Sequence, residues 1–323
     1  MYIKKLNNSS DLSDMGNKCK NLALLTEYGF NVPEAYGVTF ISFKIFISPL
    51  VDEIKEIIST HSYKEATLKI RELIMSSEIP TNVINQIVFA TSQFTKDTVF
   101  AVRSSGVVMQ EGVAIVEDSG TKSLAGQYES YLNVPASQVP TAIKLCWSSL
   151  FNERSLHVFQ AKTNDTFLES TMSVVVQKMI KADYCAVMMT LDPLSNENLL
   201  AMEAAYGACE AIVSGKVTGD LICVNRDNKI IHSRELGSKR NKVVYDVFDG
   251  QNRGEYKLES IEESLQKQFA IDNRMVLKIA DIGFAIEKKF NYPQDIELVI
   301  KGNEIFITQT RNITTTNNNI NNN

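Results

Sequence analysis

The sequence is poor in the residues from which metal centres and redox sites are usually built. Its three histidines, His61, His157 and His232, do not cluster. Its five cysteines, Cys19, Cys146, Cys185, Cys209 and Cys223, are widely spaced and form no C-x-x-C pair, so a zinc site is not expected. An odd, scattered set reads as reduced thiols of a cytoplasmic protein rather than a disulfide framework. No apolar run approaches the roughly 18 residues of a membrane span, and the opening MYIKKLNNSSDLSDMGNK lacks the apolar core of a signal peptide. Basic charge is not in excess: the net charge is −5, which argues against a nucleic-acid partner and makes any anion-binding patch a local affair. No Walker pattern G-x-x-x-x-G-K-[ST] occurs either.

What is present is a chain of 323 residues with 44% hydrophobic composition, enough to bury a substantial core in one large two-lobed domain or two ordinary ones. GNKCKNLALLTEYGF, residues 16–30, has helical apolar spacing ending at a glycine, and an extended YGVTF follows Val32-Pro33. Residues 50–95 carry helical patterns with breaks expected at Pro80 and Asn82. VFAVRSS, 99–105, reads as a strand running into a polar turn, and the glycine-containing 106–126 as a long loop. A helix with Trp147 on its apolar face is expected within 137–162. Strand patterns dominate thereafter, at 173–180, 184–193 and 198–207, and on either side of a turn near Asp227-Asn228. A long amphipathic helix then presents Val276, Ile279, Gly283 and Ile286 as one stripe. DIELVI and EIFITQTR close the order as a hairpin through Lys301-Gly302-Asn303. This order predicts an α+β architecture with two lobes dividing near residues 180–200, and a disordered Asn-rich tail at 314–323.

The terminal hairpin is the most informative feature. Strand residues two apart share a face, so Asp295 groups with Glu297 and Gln309 with Arg311, and a short turn sets Glu297 opposite the second pair. A carboxylate, an amide oxygen and a guanidinium on one face suit magnesium bound to phosphate, since magnesium takes hard oxygen ligands. The same face also fits a solvated strand with a cross-strand salt bridge, and spacing alone favours that plainer reading. Arg103, at the expected end of its strand before Ser104-Ser105, fits a phosphate contact or a sheet-edge cap. Lys18, at a helix start, fits a point charge on phosphate or an ordinary surface lysine.

Longer blocks add to this. GNKCKNLALLTEYGFNVPEAYGVT, AVRSS followed by Glu117-Asp118 and SLAGQYESYLNV, IKLCWSSLFNERS, VVVQKMI, MTLDPL, EAAYGACEAIVSGKVTGD, RELGSK and YPQDIELVI…IFITQTRNI follow one another in order. Together they resemble the phosphoenolpyruvate synthase, pyruvate phosphate dikinase and rifampin phosphotransferase family over about residues 14–313. The resemblance implies an ATP-grasp-like, two-lobed ATP-binding domain at 1–313, with ATP between the lobes and magnesium beside it. It implies phosphate contacts and catalytic roles for Lys18, Arg103 and Arg311. It also implies nucleotide contacts from Gly126 and Ser130, an adenine contact from Gln177 with the 178–180 backbone, and magnesium ligands in Glu297 and Gln309.

The sequence departs from the family's pattern in places. Gly16-Asn17-Lys18-Cys19 stands for Gly-Gly-Lys-Gly, a change expected to stiffen a turn that glycines leave permissive. Extra residues within 106–116 are expected to lengthen the phosphate-covering loop. The family's phosphohistidine and acceptor domains are expected to be missing after Arg311. The resemblance therefore implies an ATP- and magnesium-dependent phosphotransferase that hands its phosphoryl group to a histidine on a separate protein, or to a small acceptor. A non-catalytic ATP-binding regulatory module and an inactive remnant are the other readings.

Overall fold

Capping chemistry sets the helix boundaries. Ser62 Oγ accepts the Glu65 amide at 3.4 Å, and the Glu65 carboxylate accepts the Ser62 amide at 3.2 Å. This box opens the helix Tyr63–Ser76, whose Ala66, Ile70 and Ile74 recur one turn apart and are buried. Asp272 accepts the Met275 amide at 2.7 Å and opens Asn273–Phe290. There Val276, Ile279, Gly283 and Ile286 form the buried stripe that the periodicity predicts. The computed structural model describes residues 1–8, 12–110, 113–116, 129–160, 170–193, 195, 197–250 and 256–313. Among them no helix is long and apolar enough to cross a membrane. All five cysteines are free thiols.

The chain divides into two compact units: unit 1 is Met1–Leu24, Glu34–Met179 and Asp246–Glu255, and unit 2 is Leu25–Pro33, Ile180–Tyr245 and Tyr256–Asn323. Unit 1 carries β1 (Ile3–Lys5), β2 (Ala35–Val38), β3 (Val99–Gln110), β4 (Val113–Val116), β5 (Ser130–Pro135) and β6 (Thr171–Lys178). They form one antiparallel sheet in the order β1-β2-β6-β3-β4, with β5 also on β3. The helices are α1 (Asn17–Glu27, whose last residues fall in unit 2), α2 (Phe40–Ile47), α3 (Val51–Thr60), α4 (Tyr63–Ser76), α5 (Thr81–Ser92), α6 (Val139–Ser148) and α7 (Glu153–Gln160). Phe100, Val102, Val174 and Val176 turn one sheet face into a core shared with α2–α6. Trp147, fully buried, stacks on Phe46 with ring centroids 4.8 Å apart.

Unit 2 carries β7 (Tyr184–Met189), β8 (Leu199–Tyr206), β9 (Asp220–Asn225), β10 (Ile231–Glu235), β11 (Asn241–Tyr245), β12 (Tyr256–Ser260), β13 (Gln294–Lys301) and β14 (Glu304–Asn312), with α8 (Asn273–Phe290). A second six-stranded antiparallel sheet runs β10-β9-β8-β7-β13-β14, and β11 and β12 pair apart from it. Ile296, Leu298, Ile300, Ile305 and Ile307 pack with Val276, Ile279 and Ile286 of α8. Helices and antiparallel sheets thus combine in the α+β class that the sequence predicts.

Three local expectations need correction. Asn82 does not break a helix; it lies in the first turn of α5, where backbone amides lack intrahelical partners and Asn is tolerated. The strand at 99–105 does not end in a turn, and 106–110 and 113–116 are strand rather than loop. β3 continues to Gln110 and pairs back on β4 with Val107 opposite Val116, because the β-branched residues on both sides of Glu111-Gly112 favour a ladder. The extra residues therefore extend a hairpin. The helix expected within 137–162 is α6, with Trp147 buried, and Asn152 Oδ1 accepts the Ser155 amide at 2.9 Å to start a further helix, α7. Glu117-Asp118, Gly126 and the tail 314–323 lie outside the described residues.

Candidate functional site

In unit 1 the candidate residues meet on β3 and its neighbours. Arg103 is not at a strand end: it sits inside β3, opposite Val175 of β6 on one side and Ser130 of β5 on the other. It occupies this interior place because its strand runs on past residue 105. Directly opposed residues of an antiparallel pair share a face. Gln177, opposite Ala101, therefore lies on the same face as Val175 and Arg103, away from the core face of Phe100 and Val102. Ser130 joins that face through its register with Arg103.

Lys18 reaches this sheet through the start of α1. The Gly16 amide donates to Ser173 Oγ at 2.9 Å, the Lys18 amide to Ser105 Oγ at 3.2 Å, and the Ser173 hydroxyl to the Ser105 carbonyl at 3.0 Å. Ser105 and Ser173 are themselves register partners, on the face of Arg103 and Gln177. A Cβ on Gly16 would stand 2.3 Å from Ser105 Oγ and 2.5 Å from its carbonyl oxygen, so only glycine permits the approach. Asn17 and Cys19 are already helical, which removes the need for flexible glycines there and corrects the expectation of a stiffened turn. Cys19 fills space beneath the helix, fully buried with its Sγ 3.7 Å from Ser173 Oγ, and burial pushes its thiol up to about 12.

Gln177 is 2% exposed, and among the described residues its Nε2 has no hydrogen-bond partner. A buried amide donor left this way is costly unless something outside the chain takes it. An adenine ring nitrogen is one acceptor of suitable chemistry.

In unit 2 the candidates lie on the closing hairpin. Gly302 makes its turn with φ +58. Glu297 pairs with Gln309 and Asp295 with Arg311. A register shift follows Glu297, which is where the alternation read from sequence breaks. The four side chains are half-buried, while Gln294, Ile296 and Thr310 point into the core. The buried side is fixed by polar contacts: the Gln294 amide donates to Thr190 Oγ1 at 2.8 Å, Thr310 Oγ1 to Gln294 Oε1 at 2.8 Å, and Gln294 Nε2 to Asn312 Oδ1 at 2.7 Å. Arg311 donates from Nε and Nη2 to Asp295 Oδ2, each at 2.8 Å, and so has its fork aimed by a carboxylate. Asp295 is the residue that sequence reasoning placed on this face without a task; its period-2 spacing from Glu297 was the available signal. Glu203 was missed altogether. It faces Val187, itself the partner of Glu297, and its Oε1 accepts the Gly219 amide at 2.7 Å.

Glu297 and Gln309 fit a magnesium ion chemically, as hard oxygen donors directly opposite each other on a half-exposed face. Among the described residues no group of three or more His, Cys, Asp or Glu could hold a metal. These two donors would thus need phosphate oxygens and water to complete a magnesium shell. Among the predicted residues, unit 1 gathers Lys18, Arg103, Ser130 and Gln177, and unit 2 gathers Glu297, Gln309 and Arg311. Gly126 is outside the described residues.

Comparison with known proteins gives consistent matches. The family model described as pyruvate phosphate dikinase, AMP/ATP-binding domain, matches residues 12–323. A probable phosphoenolpyruvate synthase of Methanocaldococcus jannaschii is 31% identical over 329 residues, covering 97% of this chain and 26% of that protein. The rifampicin phosphotransferase of Bacillus subtilis is 31% identical over 317 residues, covering 95% of this chain and 35% of its own length. That of Bacillus cereus is 32% identical, with 93% and 34% covered. The chain thus spans between about a quarter and a third of these relatives. A solved D-alanine–D-alanine ligase from Bacillus anthracis overlaps at TM-score 0.30 and 9% identity, covering 94% of this chain and 57% of that one, and adds nothing to the assignment.

Proposed function

This chain belongs to the pyruvate phosphate dikinase AMP/ATP-binding domain family, and on that premise we propose that it binds ATP with magnesium and transfers a phosphoryl group. The acceptor in this reading is a histidine on a separate protein, as the family resemblance implies, or a small molecule, as the names of the synthase and phosphotransferase relatives suggest. A reducing compartment such as the cytoplasm suits the five free thiols.

The chain's own part is positioning and charge neutralisation, which carry most of phosphoryl-transfer catalysis. Gln177 would offer its unpaired amide hydrogens to the adenine edge. Lys18, near the amino end of α1, would add a point charge on phosphate oxygens to the partial positive charge of the helix terminus. Arg103 and Arg311 would present planar forks to phosphate, with Arg311 already oriented by Asp295. Ser130 keeps a hydroxyl opposite Arg103, and Gly126 is proposed as a backbone contact to the nucleotide. Glu297 and Gln309 would hold the magnesium, which when bound supplies charge withdrawal from bridging phosphate oxygens.

The observation that most supports this reading is the hairpin register, which sets Glu297 against Gln309 and Asp295 against Arg311 on one half-exposed face. The test is incubation with ATP labelled separately at the β- and γ-phosphates, with magnesium and candidate acceptors, resolving the nucleotide products. AMP indicates a synthase-like relay and ADP a simple kinase. ATP that is bound but stays intact with every acceptor would reduce the chain to a binding module.

A further inference from the structure

Next to Ser130 lies a charged cluster for which phosphate binding has no direct use. Glu129 immediately precedes β5, and its carboxylate receives Arg71 Nη1 from α4 at 3.1 Å on one oxygen and 3.0 Å on the other. Arg71 Nη2 donates to the Tyr131 hydroxyl at 3.2 Å, and that hydroxyl donates in turn to Glu129 Oε2. Tyr131 is fully buried, the Glu129 side chain is 12% exposed and that of Arg71 is 29% exposed. Burial, with the Glu129 charge beside it, pushes the Tyr131 hydroxyl far up, so it stays a donor.

The backbone of Glu129 is fixed as well. Its amide donates to Ser149 Oγ at 3.4 Å, and its carbonyl accepts the Ser104 amide at 3.4 Å and the Cys146 thiol at 3.7 Å. One residue is thus held by α4, by β3 and by the α6 region at once. The next residue, Ser130, lies opposite Arg103.

An apolar trio of similar volume would hold such a corner with no desolvation cost, and often more stably. What charge adds is direction: a forked guanidinium on a carboxylate fixes orientation in a way that apolar packing does not. We propose that Arg71 and Tyr131 are positioning residues that, through Glu129, set Ser130 and Arg103 in the geometry that receives the phosphates of the nucleotide. This rests on the ATP-binding reading above. Neither residue touches the ligand; both act through Glu129.

Arg71→Lys keeps the charge and loses the fork, and Tyr131→Phe keeps the ring that packs on Phe248, 5.5 Å away, and loses the hydroxyl. Affinity for ATP and for adenosine is measured on the full chain by competition against a fluorescent ATP analogue, with melting followed in parallel. A positioning role predicts ATP weakened roughly tenfold or more in Arg71→Lys, with adenosine nearly unchanged, because a small misplacement of a phosphate contact is costly. Tyr131→Phe should shift ATP in the same sense by less. It carries the test alone if Arg71→Lys fails to fold. ATP affinity at the wild-type level in the folded variants, or equal losses for both ligands, overturns the inference and leaves the ATP-binding reading standing. A wild-type chain that binds no ATP overturns that reading and this inference with it.

Discussion

The two units assemble their candidate residues in opposite ways. Unit 1 draws Lys18, Arg103, Ser130 and Gln177 from four distant stretches of chain, and brings them onto one sheet through long-range register and the contacts among Gly16, Ser105 and Ser173. Unit 2 draws Asp295, Glu297, Gln309 and Arg311 from one hairpin, closed by Gly302 and backed by α8. A local hairpin is cheap to close in entropy and fixes its own register through the turn. A face built from four segments exists only once the whole sheet has formed. The consequence is a difference in vulnerability: chemistry in unit 2 should depend on single side chains, while chemistry in unit 1 should also fail through packing changes remote from any ligand.

The sharpest test of the comparison is Glu297→Ala, which should lower magnesium-dependent ATP turnover by about 100-fold or more while folding is retained, since one oxygen donor is lost from a solvent-facing position. Product nucleotides resolved against the wild-type chain check this, and wild-type turnover would remove Glu297 from the site. Arg103→Ala should weaken ATP by about 10- to 100-fold, the worth of one or two charge-assisted contacts, and leave adenosine almost untouched. Equal loss of both ligands in a titration would mean that Arg103 acts through folding. Gly16→Ala tests the packing side. The added methyl collides with Ser105 backbone, and about 1–3 kcal/mol of stability should be lost, read from urea midpoints, with ATP affinity falling in the folded fraction. A Gly16→Ala protein as stable as wild type would show that the approach of α1 to β3 is looser than drawn.

The smallest expected effect is at the hairpin turn of unit 2. The hydrogen bond from Lys301, and then the Gly302 amide, hold the Asp183 carboxyl below its usual range. A depressed folded pKa adds stability above the unfolded value, and that stability is lost as pH falls through the folded one. The pair is largely exposed, with side chains 50% and 40% accessible, so the contribution is about 0.5 kcal/mol or less. Urea midpoints of wild type and Asp183→Asn should therefore differ slightly at pH 7 and converge below about pH 4. A gap that widens in acid would reverse the sign assigned to Asp183.

Much of the fold was legible in local signals. The stripe on α8, the hairpin through Gly302 and the start of α1 follow from spacing, turn residues and caps. The misreadings have physical causes. The glycine-containing stretch after residue 105 reads as a loop, and only pairing between β3 and β4 shows that 106–110 and 113–116 are strand. In the candidate site, period-2 spacing put Glu297 and Gln309 on matching faces but did not show the register shift beside Glu297, nor that Asp295 is the partner of Arg311.

By itself the sequence determined the family, the α+β class and the pairing of hard oxygen donors in the last hairpin, because each rests on residues close together or on motifs in fixed order. Only the tertiary structure decided that Arg103 lies inside its sheet, that Gly16 abuts Ser105, and that Arg71, Glu129 and Tyr131 share one corner. Gly16 and Ser105 stand 89 positions apart in the sequence, and Arg71 and Glu129 stand 58 apart. No local preference encodes such a pairing; it appears when burial of the common core forces distant segments together.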